Sequence, residues 1–117
     1  MTIFERIISG EIPATIVHET TNVIAILDAF PQTEGHTLII PKKPYKTIYE
    51  CPKDILIEII EVTQMLANEY ITKYNATNCN ILNNSGLLAG QTVDHLHFHL
   101  IPRYENDNCK FFITPTK

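Results

Sequence analysis

Three of the five histidines, His95, His97 and His99, occupy every second position of the run His95-Leu96-His97-Phe98-His99-Leu100-Ile101. At strand periodicity the three imidazoles emerge on one face, and Leu96, Phe98 and Leu100 on the other. Imidazole changes charge near neutral pH, so the histidine face is a candidate for acid/base, nucleophilic or metal-binding chemistry. Same-face neighbours on a strand lie about 6.6 Å apart, which separates the outer two by about 13 Å. Two neighbours can share one ion, but all three hardly can. A structural zinc site wants four ligands and no Cys pair is nearby in sequence, which leaves a metal site to be completed by a more distant residue such as His36. The preceding loop carries Gly86, Gly90, Gln91 and Thr92. Glycine lets backbone N–H groups approach a phosphate closely, so this loop reads as an anion cradle leading into the histidines.

The elements that must hold these residues are legible from local patterns. Thr2 and Glu5 have capping-box spacing, Ile3, Phe4, Ile7 and Ile8 supply an apolar face, and Ser9-Gly10 a stop, which predicts a short first helix. Thr15 to Glu19 and Val23 to Leu27 are β-prone runs around the turn Thr20-Thr21-Asn22, a predicted hairpin with Asp28 where its second strand ends. His36 to Ile40 predicts a strand stopped by Pro41. From Pro52 to about Tyr74, apolar residues recur at spacings of three and four, as one face of a long helix requires. Asn80 to Asn83 and Asp94 to Ile101 read as the last two strands, the latter ended by Pro102, with a Gly-containing loop between them. The predicted fold is α+β: an antiparallel meander of about five strands, one short N-terminal helix and one long helix.

Length and composition bound the possibilities. At 117 residues, a single domain is expected over 1–117, with a core over about 2–103 and a patternless tail over 104–117. Hydrophobic residues make up 44% and charged residues 19%, and no apolar stretch approaches the roughly 20 residues that span a bilayer. No membrane partner is expected. The start Met1-Thr2-Ile3-Phe4-Glu5-Arg6 lacks the features of a secretory signal, which makes the cytoplasm the expected location. Cys51, Cys79 and Cys109 are odd in number and widely spaced, and read as reduced thiols. A net charge of −4 offers no general attraction for nucleic acid.

The segment from Gly90 to Ile101 resembles the signature of the histidine-triad nucleotide-binding proteins. Ile3-Phe4 through Ile12-Pro13, Asp28 with Pro31-Gln32, and Gly35-His36 through Pro41-Lys42 are similar to that family in the same order. The likeness covers about Thr2 to Arg103 and is closest to the purine nucleoside phosphoramidase branch. It implies a homodimer with a shared central sheet, acting on purine nucleoside 5′-phosphoramidates or acyl-nucleotides. By resemblance His97 is the nucleophile that forms a nucleotidyl-histidine intermediate, His99 contacts the α-phosphate, and His95 and His36 support or orient His97. Asp28, with Ala29 beside it, would accept hydrogen bonds from the ribose, and Gly90, Gln91 and Thr92 would line the phosphate. Thr92 stands where the family has Ser or Thr. Asn83 and Asn84 both fit the nucleotide-contacting Asn, and the spacing to Gln91 favours Asn84. An apolar slot near Phe4, Ile26 and Leu27 would take a flat base.

The chain also departs from the family. Thr2 and Glu5 stand where some relatives hold zinc with a Cys pair, so no metal and no other cofactor is expected. Pro44 follows Lys43 where many relatives carry a His, and the tail Phe111-Phe112-Ile113-Thr114 lacks the Trp-containing ending of animal members. The resemblance leaves two alternatives beside the phosphoramidase: a dinucleoside polyphosphate hydrolase, and a nucleotide-binding regulatory or scaffold protein.

Overall fold

The computed structural model describes residues 1–109; the tail residues Phe111 to Thr114 singled out above lie outside them. In chain order the elements are α1 (Ile3–Ile8), β1 (Ile16–Glu19), β2 (Val23–Leu27), β3 (Thr37–Pro41), α2 (Lys53–Lys73), β4 (Asn78–Asn83), a single 3-10 turn (Leu87–Ala89) and β5 (Phe98–Arg103). The strands form one antiparallel sheet in the order β1-β2-β3-β5-β4.

The two helices take opposite faces of the sheet. Alternate residues Val23, Ala25, Ile39, Phe98 and Leu100 pack with Ile55, Ile59, Val62, Leu66 and Tyr70 of α2. Their neighbours Ile24, Ile26, Leu38 and Ile40 pack with Phe4 of α1. This explains why β2 and β3 are apolar at nearly every position: a strand covered on both sides cannot alternate with polar residues. Helix α1 forms where its capping box predicts, with the Thr2 hydroxyl accepting from Glu5 N at 3.2 Å and the Glu5 carboxylate accepting from Thr2 N at 2.9 Å. The β1–β2 turn is clasped from α2, since Glu58 accepts from the Thr20 hydroxyl and from both the backbone N–H and the side-chain amide of Asn22.

The expected meander holds for β1, β2 and β3 and fails after them. Helix α2 carries the chain past the slot beside β3, so β4 forms the edge and β5 returns to fill the gap. Burial explains the exchange. Strand β5 is buried at four of its six positions and suits a central place, whereas β4 is half-buried or exposed throughout and suits an edge.

Both prolines expected to stop strands lie inside them. Pro41 ends β3 while still paired with Val23. Pro102 sits in β5 beyond Leu100, where pairing with β3 has ended, and a strand with one open side accommodates a residue without an N–H. The largest correction concerns the histidines themselves. The ladder begins only at Phe98, so His95 lies in a bend, its N–H on Val93 O at 2.8 Å, and His97 in the approach between that bend and β5. Leu96 N instead donates to Tyr45 O at 2.7 Å. Alternation survives without the ladder, because Leu96 joins the α2 side of the core while the His95 and His97 rings meet Phe4 on the α1 side.

Candidate active site

His36, His95, His97 and His99 come together at the α1 face of the sheet. His36 immediately precedes β3, His99 lies in β5 paired with Leu38 of β3, and Asp28 follows β2. Ring centroids of His97 and His99 are 5.0 Å apart, those of His36 and His99 5.2 Å. Phe4 of α1 stands edge-on to both His95 and His97, at 5.6 Å and 5.0 Å. Phe4 and Ile26, expected to border a slot for a base, are buried in the α1-side core, while Leu27 is half-buried.

The hydrogen bonds determine where each imidazole keeps its proton. A carbonyl oxygen only accepts, so His95 Nε2, 2.8 Å from Pro41 O, carries a hydrogen. His95 Nδ1 is then a bare acceptor, satisfied by the Thr2 hydroxyl at 3.0 Å. His97 Nδ1 lies 2.8 Å from His95 O and therefore donates, which leaves the lone pair of His97 on Nε2. On the other side, Gln32 N donates to His36 Nδ1 at 3.0 Å, so His36 carries its hydrogen on Nε2. That hydrogen goes to His99 Nδ1, 2.9 Å away, with the Asp28 carboxylate 3.5 Å from the same nitrogen. His99 consequently keeps its proton on Nε2. Two relays thus end in opposite properties: a bare nitrogen on His97 and an N–H donor on His99.

Burial keeps these rings neutral. It pushes His36, His95 and His97 below the ordinary imidazole value, against the opposing pull of Asp28 on His36 and His97 and of the carbonyl bonds on His95 and His97. His99 is pushed down to about 4, by burial first and then by the neighbouring His97 and His36. In the unfolded chain these groups titrate near 6.5, so below that pH the unfolded state binds more protons than the folded one and stability falls with pH. Urea unfolding is therefore expected to show a midpoint that declines from pH 6.5 towards pH 4. A midpoint that is flat over this window would contradict neutral buried histidines.

Other residues singled out in the sequence divide by what their atoms already do. Gln91 is buried, and its side chain is engaged throughout: Oε1 accepts from Gly86 N at 2.7 Å, and Nε2 donates to Lys46 O and Val93 O at 2.7 and 2.9 Å. Its N–H is also used, on Gly86 O at 3.1 Å. Gln91 therefore shapes the loop with its amide and is not poised to offer that amide to a ligand. Asn83 Nδ2 donates to His97 O at 3.0 Å, while Asn83 Oδ1 accepts from Ser85. Asn84 instead faces Gly90, whose missing Cβ would lie 3.6 Å from the Asn84 side-chain nitrogen. Gly90, at φ +94°, turns the chain into the exposed Thr92. Ala29 is exposed beside Asp28.

Asp28, His36 and His99 also present ligand atoms within 4.8 Å of one another. The His36 atom facing both partners is Nε2. To bind a metal there, a neutral ring must move its proton to Nδ1, where it would confront the Gln32 N–H. Metal-bound imidazoles ordinarily donate from their second nitrogen, so this donor set suits hydrogen bonding better than coordination.

Sequence reasoning did not find Thr2, Pro41 O, Gln32 N or Asn83 as partners of the histidines. Thr2 was visible as a helix cap, and as the residue standing where some relatives carry a zinc-binding Cys, but not as a partner of His95. Backbone donors and acceptors carry no residue-type signal at all.

The HIT domain family model matches residues 9–106. A HIT-like protein of Methanocaldococcus jannaschii is 48% identical over 107 residues, covering 92% of this chain and 82% of that protein. The adenosine 5′-monophosphoramidase of Candida albicans is 41% identical over 105 residues, covering 86% of this chain and 69% of that protein. A crystal structure of a HIT family protein from Bacillus anthracis superposes with a TM-score of 0.92 at 39% identity, covering 97% of this chain and 81% of that one. The histidine arrangement, the fold and these matches agree: the chain belongs to the HIT domain family, whose fold is this five-stranded antiparallel sheet with one short and one long helix.

Proposed function

We propose that this protein is a nucleotide hydrolase that cleaves purine nucleoside 5′-phosphoramidates or acyl-nucleotides to the nucleoside monophosphate through a nucleotidyl-histidine. The observation that carries this reading is the His97 Nδ1–H bond to His95 O at 2.8 Å, which leaves Nε2 with its lone pair. The similarity to a monophosphoramidase supports the substrate class.

His97 Nε2 attacks the α-phosphorus, the N–P bond forms, and the bond from phosphorus to the leaving amine nitrogen or carboxylate oxygen breaks. An amine takes a proton from solvent as it leaves, and a carboxylate leaves as the anion. The ring becomes a cation, and the same His95 carbonyl together with Asp28 favours that cation. Burial thus holds the ring neutral for attack, while preset dipoles stabilise the charge as it develops. His99 Nε2–H donates to a non-bridging phosphate oxygen. Water then attacks phosphorus and releases one proton to solvent, the P–N bond breaks with its electron pair returning to His97 Nε2, and the monophosphate departs with the ring neutral again. No step requires a metal, because splitting one displacement into two easier ones is what a covalent histidine supplies.

Asp28 has one carboxylate oxygen on Phe30 N at 3.0 Å and the other near His36. The spare acceptor capacity of a carboxylate suits the ribose hydroxyls at the end of β2. Asn84, whose neighbour Asn83 is occupied in holding the His97 carbonyl, is assigned to the nucleotide. Gly90 and Thr92 border the phosphate, and Gln91 acts by shaping their loop. Mass spectrometry of protein quenched during turnover of an adenosine phosphoramidate is expected to find a nucleotidyl adduct on His97. Turnover with no adduct, or with an adduct on another residue, overturns the assignment.

A homodimer is also proposed. The β4 edge leaves Ile81 52% exposed, α2 leaves Ile71 46% exposed, and a groove of about 130 Å³ between them is lined by Ala67, Cys79 and Leu100. An unpaired edge with apolar residues is a ready template for a second copy. Sedimentation should show a dimer that Ile81→Lys converts to monomer. A monomeric wild type would refute it.

A further inference from the structure

We infer that Thr2 is a positioning residue for the reaction: its hydroxyl holds the His95 proton on Nε2 and so holds the carbonyl that directs His97. The inference rests on the functional reading above for its catalytic consequence, but not for its chemistry. Thr2 touches no reacting atom in that reading.

His95 is fully buried, with both ring nitrogens engaged from different elements. Strand β3 supplies an acceptor, the Pro41 carbonyl, to Nε2. Helix α1 supplies the Thr2 hydroxyl to Nδ1. The hydroxyl has one hydrogen to give and accepts the Glu5 N–H as the helix cap. Thr2 therefore does two separable things with one oxygen: it caps α1 as an acceptor, and it faces His95 as a donor. Clamped at both nitrogens, residue 95 presents its carbonyl to His97 Nδ1 from a fixed place. If His95 instead took a proton on Nδ1, it would become a cation beside the ring that must itself become cationic during attack.

The groups around His95 allow that failure to be induced. Burial and His97 press against a charge on His95, while Glu5 of α1 and the Pro41 carbonyl of β3 favour one. The Phe4 ring adds an apolar edge. An acceptor in place of the Thr2 hydroxyl adds to the favouring side. Aspartate does this while remaining a good N-cap, so Thr2→Asp inverts the polarity of the bond to His95 and preserves the cap. Thr2→Ser preserves both functions. Thr2→Gly removes the donor and costs the cap only a few tenths of a kcal/mol.

The experiment compares these three variants in full-length protein by kinetics on an adenosine phosphoramidate, by melting temperature, and by nitrogen NMR of labelled histidine. We expect Thr2→Ser to match the wild type. Thr2→Asp should melt like wild type, show a protonated His95 Nδ1, lose about 10- to 100-fold in kcat with KM held within about two-fold, and move the acid limb of kcat upward in pH. Thr2→Gly should lose kcat with KM held and no upward movement of that limb. A Thr2→Asp protein with wild-type kcat and pH profile reduces Thr2 to a helix cap and overturns the inference. Should Thr2→Asp fail to fold, Thr2→Gly decides: wild-type kcat refutes the role and a selective loss supports it. Absence of turnover in the wild type would instead defeat the functional reading. In that case a bare His95 Nδ1 in wild type and a protonated one in Thr2→Asp would still establish the link, and an unchanged Nδ1 would refute it.

Discussion

His97→Ala is expected to lower turnover of an adenosine phosphoramidate by about 10³-fold or more, as removal of a covalent nucleophile does. Nucleoside monophosphate binding should change by only a few-fold, because the nucleotide contacts proposed for Asp28, His99 and the Gly90 to Thr92 loop remain. The comparison separates the catalytic reading from the regulatory one, since a protein that only holds nucleotide loses nothing it needs. His97 is 7% exposed and packs on Phe4 and His99, so truncation leaves a gap. His97→Gln is the companion variant that fills it. Measured by single-turnover kinetics and by calorimetric titration with the monophosphate, retained turnover in both variants would remove His97 from the mechanism.

The second large effect belongs to His36. Although it is almost fully buried, at 3% exposure, it bears on the proposed chemistry through His99. His36 Nε2–H saturates His99 Nδ1 at 2.9 Å, and this keeps the outward N–H on His99 Nε2. In His36→Leu that constraint is lost, so His99 can move its proton to Nδ1 and turn a bare nitrogen towards the phosphate. Loss of one preset donor to a developing negative charge typically costs about 10²- to 10³-fold in kcat, and that is the expected result. The loss should appear mainly in kcat, because the donor gains most in the transition state. Removing His36 also removes one of the causes holding His99 near 4, so the His99 titration should move upward in pH. Wild-type kcat in His36→Leu, measured beside unchanged folding by circular dichroism, would show that His36 is only a core residue.

Much of this protein was legible in the chain because its causes are local. The capping box of Thr2 and Glu5, the apolar periodicity of α2 and the alternation of His95, His97 and His99 with Leu96, Phe98 and Leu100 depend on neighbours a few residues apart. So does the Gly90 turn, whose φ of +94° is a conformation that L side chains rarely adopt. Strand order was not local in this sense. That β5 enters between β3 and β4 follows from which strand buries both faces once α2 has crossed the sheet, and a pairwise reading of successive strands yields a meander instead.

The site divides along the same line. Residue types and their spacing were sufficient to nominate the histidines, and the family likeness to bring in Asp28 and to order the roles. Which nitrogen of each ring carries a proton was decided only by the folded backbone and its contacts, through near neighbours for His97 (His95 O) and His36 (Gln32 N) and through distant ones for His95 and His99. The distant contacts join residues 93 apart at Thr2 and His95, 63 apart at His36 and His99, and 54 apart at His95 and Pro41. An imidazole is chemically ambiguous until its partners are known, because either nitrogen can donate or accept. Sequence by itself therefore determined which groups are present, whereas the fold, by placing a carbonyl, a hydroxyl and a backbone N–H against particular ring atoms, decided what each group can do.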